Sequence, residues 1–394
     1  MGWWQRLRAE LRSVVLGQYP PRDPALAELF GSGPSSSGES VTPARAVGLT
    51  AVWACVNLIA GSIAAMPLIL YRRLEDEARE RAVEHPLYDV LRVRPNPVQP
   101  VVAFWEAMVT ALLLRGNAFA LITRDDDGRV RALWYLNPDR VGVEVLRTGR
   151  LRYRVLNPDG TQTMVPAEGM LHIPGPMSDD GYTGRSVIAT FRETLGLGLA
   201  LERYGAEFFA NAATPRGVLK TAGRLSEEAA RRLKQSIADS HAQRGRRHAT
   251  LVLEEGIEFQ PLGIDHRDSQ FIESRRFTVE EIARIFGVPP HMIGGDVKGS
   301  MTYANAETEA LRFLKHTLGP WLARIEAAVN FACISPLERR QLYVEFLPDA
   351  LLATDTMSRY QAYKLGLEAG FLTLDEVRRK ENLPALPEAT PAVG

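Results

Sequence analysis

The residues best placed to do chemistry lie in "GGDVKGSMTYANAETEA", Gly294 to Ala310. Glycines, one lysine beside a serine and a helix-like continuation are the ingredients of a phosphate-cradling loop. Such a loop needs the order GxxxxGK[ST] after a strand, so that backbone N–H groups and the lysine converge on one phosphate. Here the order is Lys298-Gly299-Ser300, and "VPPHMIGG" precedes it after a helical pattern. A nucleotide-dependent DNA-processing enzyme using residues 294–300 is the alternative reading that this loop keeps alive. The same composition describes a mobile loop carrying one cation.

Other chemistry is not spelled out. The histidines (His85, His172, His241, His248, His266, His291, His316) form no HExxH or other metal spacing. There is no GxSxG and no CxxC, so no catalytic residue, metal ligand or cofactor is assigned. His172, in the strand pattern "LHIPG", reads as a hydrogen-bonded structural histidine. "DDDG" lacks a calcium loop's twelfth-position carboxylate: with Asp125 and Asp127 as third and fifth ligands, Trp134 falls there. It reads as a turn. Cys55 and Cys333 are far apart in apolar surroundings and read as buried thiols of a reducing compartment.

Bulk properties narrow the class. The 394 residues suffice for two or three cores. Lys+Arg and Asp+Glu are both 47, so no net field gathers nucleic acid, which argues against a tight sequence-reading DNA binder but not against a surface that DNA slides past. Six of the 47 cations are lysine, leaving 41 arginines, the mark of a GC-rich genome.

Around these residues the elements are legible. The first 43 residues read as an arm outside any core: a basic amphipathic helix in "MGWWQRLRAELRSVVLG", without a signal-peptide core, then the linker "GSGPSSSGESVTP". "LTAVWACVNLIAGSIAAMPLILY" (Leu49–Tyr71) has the length and charge-free character of a membrane span. Asn57, Gly61, Ser62 and the break at Pro67 favour a buried helix, Leu49–Ala65, followed by a strand, Leu68–Arg72. Stable membrane insertion is not expected.

"HPLYDVLRVRPNPVQP" is a short helix with a proline-rich turn, and "AFWEAMVTALLLRG" a helix stopping at Gly116. Period-two runs from "NAFALITR" to "TQTMVP", separated by "DDDG" and "NPDG", form an antiparallel, hairpin-rich sheet.

Arg185 to Ala213 then reads as one helix of about 28 residues, roughly 42 Å long. Its small residues Gly196, Gly198, Ala200, Gly205 and Ala206 would let a neighbouring helix approach closely. "RGVLK", a helix N-capped by Ser226 and a hairpin turning at Glu255-Gly256 make a β-α-β-β insertion, Arg216–Gly263, with the basic loop "RGRRH". A returning helix stops at Gly287. After the opening loop comes a helix from Asn305, kinked at Gly319-Pro320. "QLYVEFLP" is a strand, and two short helices end the chain, the second opened by a Thr373/Glu376 capping box.

Four ordered stretches, "RGNAFALITRDDDGRVRALWYLNPDRV", "GRSVIATFRETLGLGLALERYGAEFFANAATPRGVL", "EEIARIFGVPPHMIGG" and "SMTYANAETEALRFLKHTLGPWLARIEAAVN", resemble the portal proteins of tailed double-stranded DNA phages, of the compact head–tail connector type. The set runs in order through residues 115–330. The resemblance implies an α+β portal-type subunit: an arm (1–43), the first part of a wing (44–184), stem helix 1 (185–215), a clip (216–266), stem helix 2 (267–290), a tunnel loop (291–304), a kinked wing helix and strand (305–346) and a helical crown (347–394). It implies a homo-oligomeric ring, usually of twelve, at the portal vertex of a virion or phage-like particle such as a gene transfer agent, assembled in the bacterial host cytoplasm. The implied partners are the major capsid protein, the terminase large subunit, a head–tail adaptor protein and double-stranded DNA, held without sequence specificity. The tunnel-loop candidates are Asp296, Lys298, Ser300, Thr302 and Tyr303. The clip candidates are Arg232, Lys234, Arg244, Arg246 and Arg247. Lys298, repeated around a ring, would form a thin positive belt.

Overall fold

The protein is described here from a computed structural model, which covers residues 35–74, 78–211, 217–220, 227–228, 231–232, 235, 258–261, 266–295, 303–348, 356–381 and 384. The class is α+β. The segment that imitates a membrane span resolves into helix α1 (Thr50–Ala65) and strand β1 (Leu68–Arg73). Ile59 and Ile63 of α1 are fully buried in the main core, because α1 lies against α3 (Val101–Arg115). No described helix is long and apolar enough to cross a membrane.

β1 is the centre of a small antiparallel sheet. Its neighbours are β2 (Arg79–Arg81) and β11 (Leu342–Phe346), the latter joining from far along the chain with Leu68 opposite Phe346. Between β2 and α3, helix α2 (Pro86–Arg92) begins on a histidine cap: His85 Nδ1 accepts from Leu87 N–H at 3.2 Å. α3 ends at Gly116, whose φ of +74° is the left-handed cap that glycine adopts without strain.

The period-two runs form two three-stranded sheets instead of one. β3 (Asn117–Arg124) lies between β4 (Val130–Leu136) and β8 (Met170–Pro174); β5 (Val141–Val145), β6 (Leu151–Leu156) and β7 (Gln162–Pro166) form the other. The alternation of β3 divides two cores. Ala118, Ala120 and Ile122 enter the main one. Phe119 and Leu121 face a smaller one with Leu136, Val141, Tyr153, Val155, Val165 and Met170. A hairpin sheet with one wet face would have shown polar alternation; β3 is apolar on both sides and is buried on both.

The expected uninterrupted helix from Arg185 is not continuous. Ser186 caps a single turn, Val187–Thr190, and Phe191 leaves helical geometry (φ −103°, ψ 30°) before helix α4 (Arg192–Asn211) starts. Ser186 fixes where the first turn begins: its Oγ also donates to Leu114 O at 3.0 Å. β9 (Gly217–Lys220) and β10 (Glu258–Pro261) pair antiparallel, Gly217 opposite Pro261. The strand expected at 249–255, most of the helix expected after Ser226 and the turn at Glu255-Gly256 lie outside the described residues.

α5 (His266–Phe286) returns and stops at Gly287, φ +67°. Ile282 and Phe286, at its end, are buried in the main core. α6 (Tyr303–Arg312) continues through a six-residue π-turn, Phe313–Leu318, into α7 (Gly319–Cys333). The expected kink at Pro320 is thus a local widening. Proline has no N–H and its ring crowds the carbonyl four residues back. The turn ahead of it opens until Gly319 N–H bonds to Leu314 O, five residues away. Helices α8 (Thr356–Glu368) and α9 (Leu374–Lys380) close the described chain.

The expectation that the first 43 residues stand outside the core fails from Ser35 onward. Val41 is fully buried, and Ser35, Glu39 and Thr42 are nearly so. Thr42 accepts from Arg45 N–H at the start of a single helical turn, Pro43–Ala46. The linker-like composition was misleading because its small residues fit under α4. The Thr42-Pro43 pair, an N-cap followed by proline at the first helical position, was the readable sign of order.

Candidate functional site

The feature that organises the molecule is the antiparallel pair α4/α5. A Cβ on Gly198 would lie 3.2 Å from the Thr278 methyl, and one on Gly205 would lie 2.9 Å from the Phe271 ring. Seven residues forward on α4 match seven residues back on α5, the spacing of two helical turns. Between these contacts Arg275 reaches Glu202 at 4.0 Å, and the Tyr204 and Phe271 rings stand 5.5 Å apart. Three of the five small residues are therefore used inside the subunit, while Ala200 is half-buried and Ala206 exposed. Gly198 and Gly205 receive α5, and Gly196 receives the strap, with the Ser35 side chain occupying the place of a Cβ. For these three glycines the close neighbour belongs to the same chain, not to a neighbouring subunit.

The strap, residues 35–42, runs along α4. Ser36 N–H donates to Glu193 Oε2 at 2.9 Å, which holds the Glu193 carboxyl below its ordinary value. Glu39, 2% exposed, meets Arg45 at 2.6 Å and Arg203 of α4 at 2.8 Å. The Arg203 contact is a close charge pair without the alignment of a hydrogen bond.

The base of the pair is built from backbone in close approach. Gly175 N–H donates to Gly116 O at 2.7 Å, and Asn117 clamps Gly184 from both sides: Nδ2 donates to Gly184 O and Oδ1 accepts from Gly184 N–H. Asn117 Oδ1 also accepts from His172 Nε2 at 3.0 Å. Nδ1 is then left to accept from the Tyr153 hydroxyl at 3.3 Å. Burial pushes His172 down to about 4 and Tyr153 up to about 12. The histidine is a neutral strut, as its strand setting suggested. The loop between Gly175 and Gly184 is also held by its own chemistry: Asp180 accepts from Ser178, Tyr182 N–H and both donors of Thr183, which keeps its carboxyl far below the usual range.

At the other end of α5, Thr317 Oγ1 of the π-turn donates to Gly287 O at 2.5 Å. The helix leading out of the 296–302 segment is thereby tied to the end of the shaft.

Exposed side chains on the pair carry both signs, with Arg203, Arg275, Arg276 and Arg284 beside Glu207 and Glu273. Among the described residues no His/Cys/Asp/Glu group has metal-holding geometry. Cys55 and Cys333 are free and buried, and burial pushes both thiols up to about 12.

Asp296, Lys298, Ser300 and Thr302 lie outside the described residues; Tyr303 opens α6. Of the basic insertion candidates, Arg232 is helical and exposed, whereas Lys234, Arg244, Arg246 and Arg247 lie outside the described residues. Sequence reasoning missed the strap and the Gly116–Gly175–Gly184 cluster. The glycines were visible, but only the fold brings the three together.

The family model for "Phage portal protein" matches residues 50–382. The chain is similar to the probable portal protein of Streptomyces phage phiC31, 32% identical over 98% of this chain and 87% of that protein. It is also similar to the portal protein of Enterobacteria phage HK97, 30% identical over 98% of this chain and 90% of that one. A chain from the neck of an empty gene transfer agent particle, computed with C6 symmetry, is 27% identical and covers 97% of this chain and 99% of its own, with a TM-score of 0.63. Its counterpart from the neck of the native particle, computed with C12 symmetry, gives 26% and 0.59.

Proposed function

This chain belongs to the phage portal protein family, and from that premise we propose that its copies close into a twelve-membered ring at one vertex of a capsid or gene-transfer-agent-like particle. Double-stranded DNA passes through the ring during packaging and ejection, and the ring docks the proteins that act at that vertex. The observation that carries this reading is near end-to-end similarity to a particle-neck chain, with 97% of one and 99% of the other superposed.

The physical features support a conduit. A heterologous contact that closes on itself gives cyclic symmetry. Each phosphate paired with a cation deepens the well in which DNA rests, so a sliding channel must bind weakly. A chain with 47 acidic and 47 basic residues is suited to that. In this reading α4 and α5 are the stem, and the β9/β10 unit is the clip that meets the terminase large subunit and later the head–tail adaptor. The sheets form the wing against the major capsid protein, and α8 and α9 form a reduced crown. Assembly takes place in the host cytoplasm. Lys298 supplies one thin positive belt at the tunnel loop, beside Asp296, Ser300, Thr302 and Tyr303. Arg232, Lys234, Arg244, Arg246 and Arg247 contribute the clip's basic surface. The subunit acts as a structural part without enzymatic activity.

Electron microscopy of the purified protein and of particles from the producing strain tests this. Rings with a central hole, found at one vertex per particle, are expected; a protein that is absent from particles, or that hydrolyses ATP by itself, overturns it. For the belt, Lys298→Ala should lower DNA packaging or retention without changing ring formation, and unchanged packaging and retention would remove its role.

A further inference from the structure

The hairpin α8/α9 is stiffened from within, yet among its described residues no apolar side chain is fully buried. Arg359 pairs with Glu381 at 2.8 Å, and the Tyr363 hydroxyl donates to the same carboxylate. Thr373 and Glu376 cap each other at the start of α9. A Cβ on Gly366 would fall 2.5 Å from Leu372, so the turn folds tightly back on α8. Gly366 is nevertheless the only buried position among its described residues. Leu365 is 64% exposed, Phe371 72% and Tyr360 51%, with Leu367 and Leu374 also exposed. A unit this short, with so little apolar burial among its described residues, gains little stability from its own packing.

The exposed residues are not on one patch. At about 100° per residue, Arg359, Tyr363 and Gly366 share the face of α8 turned toward α9. Leu365 falls on one side of that face, and Tyr360 with Leu367 on the other. One self-complementary patch would favour a two-fold dimer; two different flanks on opposite sides are what a head-to-tail contact requires.

We propose that these flanks are the two halves of one contact between successive copies of this chain: Leu365 of each hairpin packs on the Tyr360–Leu367 flank of the next, so that the hairpin acquires its core only in the closed ring. The proposal rests on the portal reading above.

Cysteine cross-linking of the full-length protein with a short bis-maleimide tests it, because Cys55 and Cys333 are buried. Leu365→Cys alone and Leu367→Cys alone should give no covalent dimer. A ring assembled from the two single variants mixed should give dimers and nothing larger. The double variant should give a ladder rising to the full ring. Cross-linking of either single variant to itself would make the contact like-on-like and overturn the proposal. Rings visible by microscopy with no cross-link in the mixture would assign the flanks to another occupant, such as a vertex protein, and overturn it while leaving the portal reading intact. Absence of wild-type rings, both in isolation and in particles, would remove both.

Discussion

Thr317 and Gly287, thirty residues apart, are joined by a hydrogen bond from the Thr317 hydroxyl to the Gly287 carbonyl. Thr317 sits in the π-turn that Pro320 imposes, and Gly287 is the left-handed stop of α5. One bond therefore couples the end of the returning helix to the helix that leaves the 296–302 segment. Thr317→Val keeps the shape and removes the donor. It should cost about 1–2 kcal/mol, read as a lowered thermal midpoint. Amide exchange in 287–295 should rise more than exchange in α1; uniform exchange would dismiss the coupling.

Close backbone approach predicts a sharp difference between glycines. A Cβ on Gly184 would lie 2.2 Å from the Gly116 carbonyl oxygen, whereas one on Gly128 meets nothing within 4 Å. Gly128→Ala should cost about 1–2 kcal/mol, the strain of a left-handed alanine. Gly184→Ala should cost more than about 3 kcal/mol, because backbone rather than a side chain has to move. Denaturant titration of both variants separates the two causes.

His172 gives a pH signature. Its folded value of about 4 lies below the ordinary histidine value, so the fold favours the neutral ring. Above about pH 6.5 both states are neutral and its contribution is complete. As pH falls from 6.5 toward 4 the unfolded chain takes up a proton that the folded chain refuses, and stability drops by about 2–3 kcal/mol. His172→Gln should flatten that part of the stability–pH curve relative to wild type. Parallel curves would mean that the ring protonates without penalty.

Glu39 ties the strap to α4 through Arg203 and to the following turn through Arg45. Both arginines are about half exposed, so the pairs are partly screened, and Glu39→Ala should cost only about 1–2 kcal/mol overall. Its local effect should be larger. Amides of residues 35–42 should exchange markedly faster than in wild type, with α1 unchanged. Retained protection across the strap would show that Val41 and the Ser35 and Ser36 contacts hold it without Glu39.

The sequence by itself determined most of the elements. Local signals sufficed: glycine stops at Gly116 and Gly287, the reciprocal cap of Thr373 and Glu376, and hairpin turns at "DDDG" and "NPDG". Four ordered stretches also carried the family resemblance. Other facts were decided only in three dimensions, because they depend on residues far apart in sequence. β11 pairs with β1 across most of the chain. β3 is buried on both faces, so the strands divide into two sheets. Gly196, Gly198 and Gly205 of α4 receive Ser35 and α5 from the same chain, a choice that spacing cannot express because a glycine permits approach without naming the neighbour. The strap looked like linker because serine and glycine are read as solvent-loving. They are also small enough to lie flat beneath a helix, and whether a helix lies above them is a property of the fold.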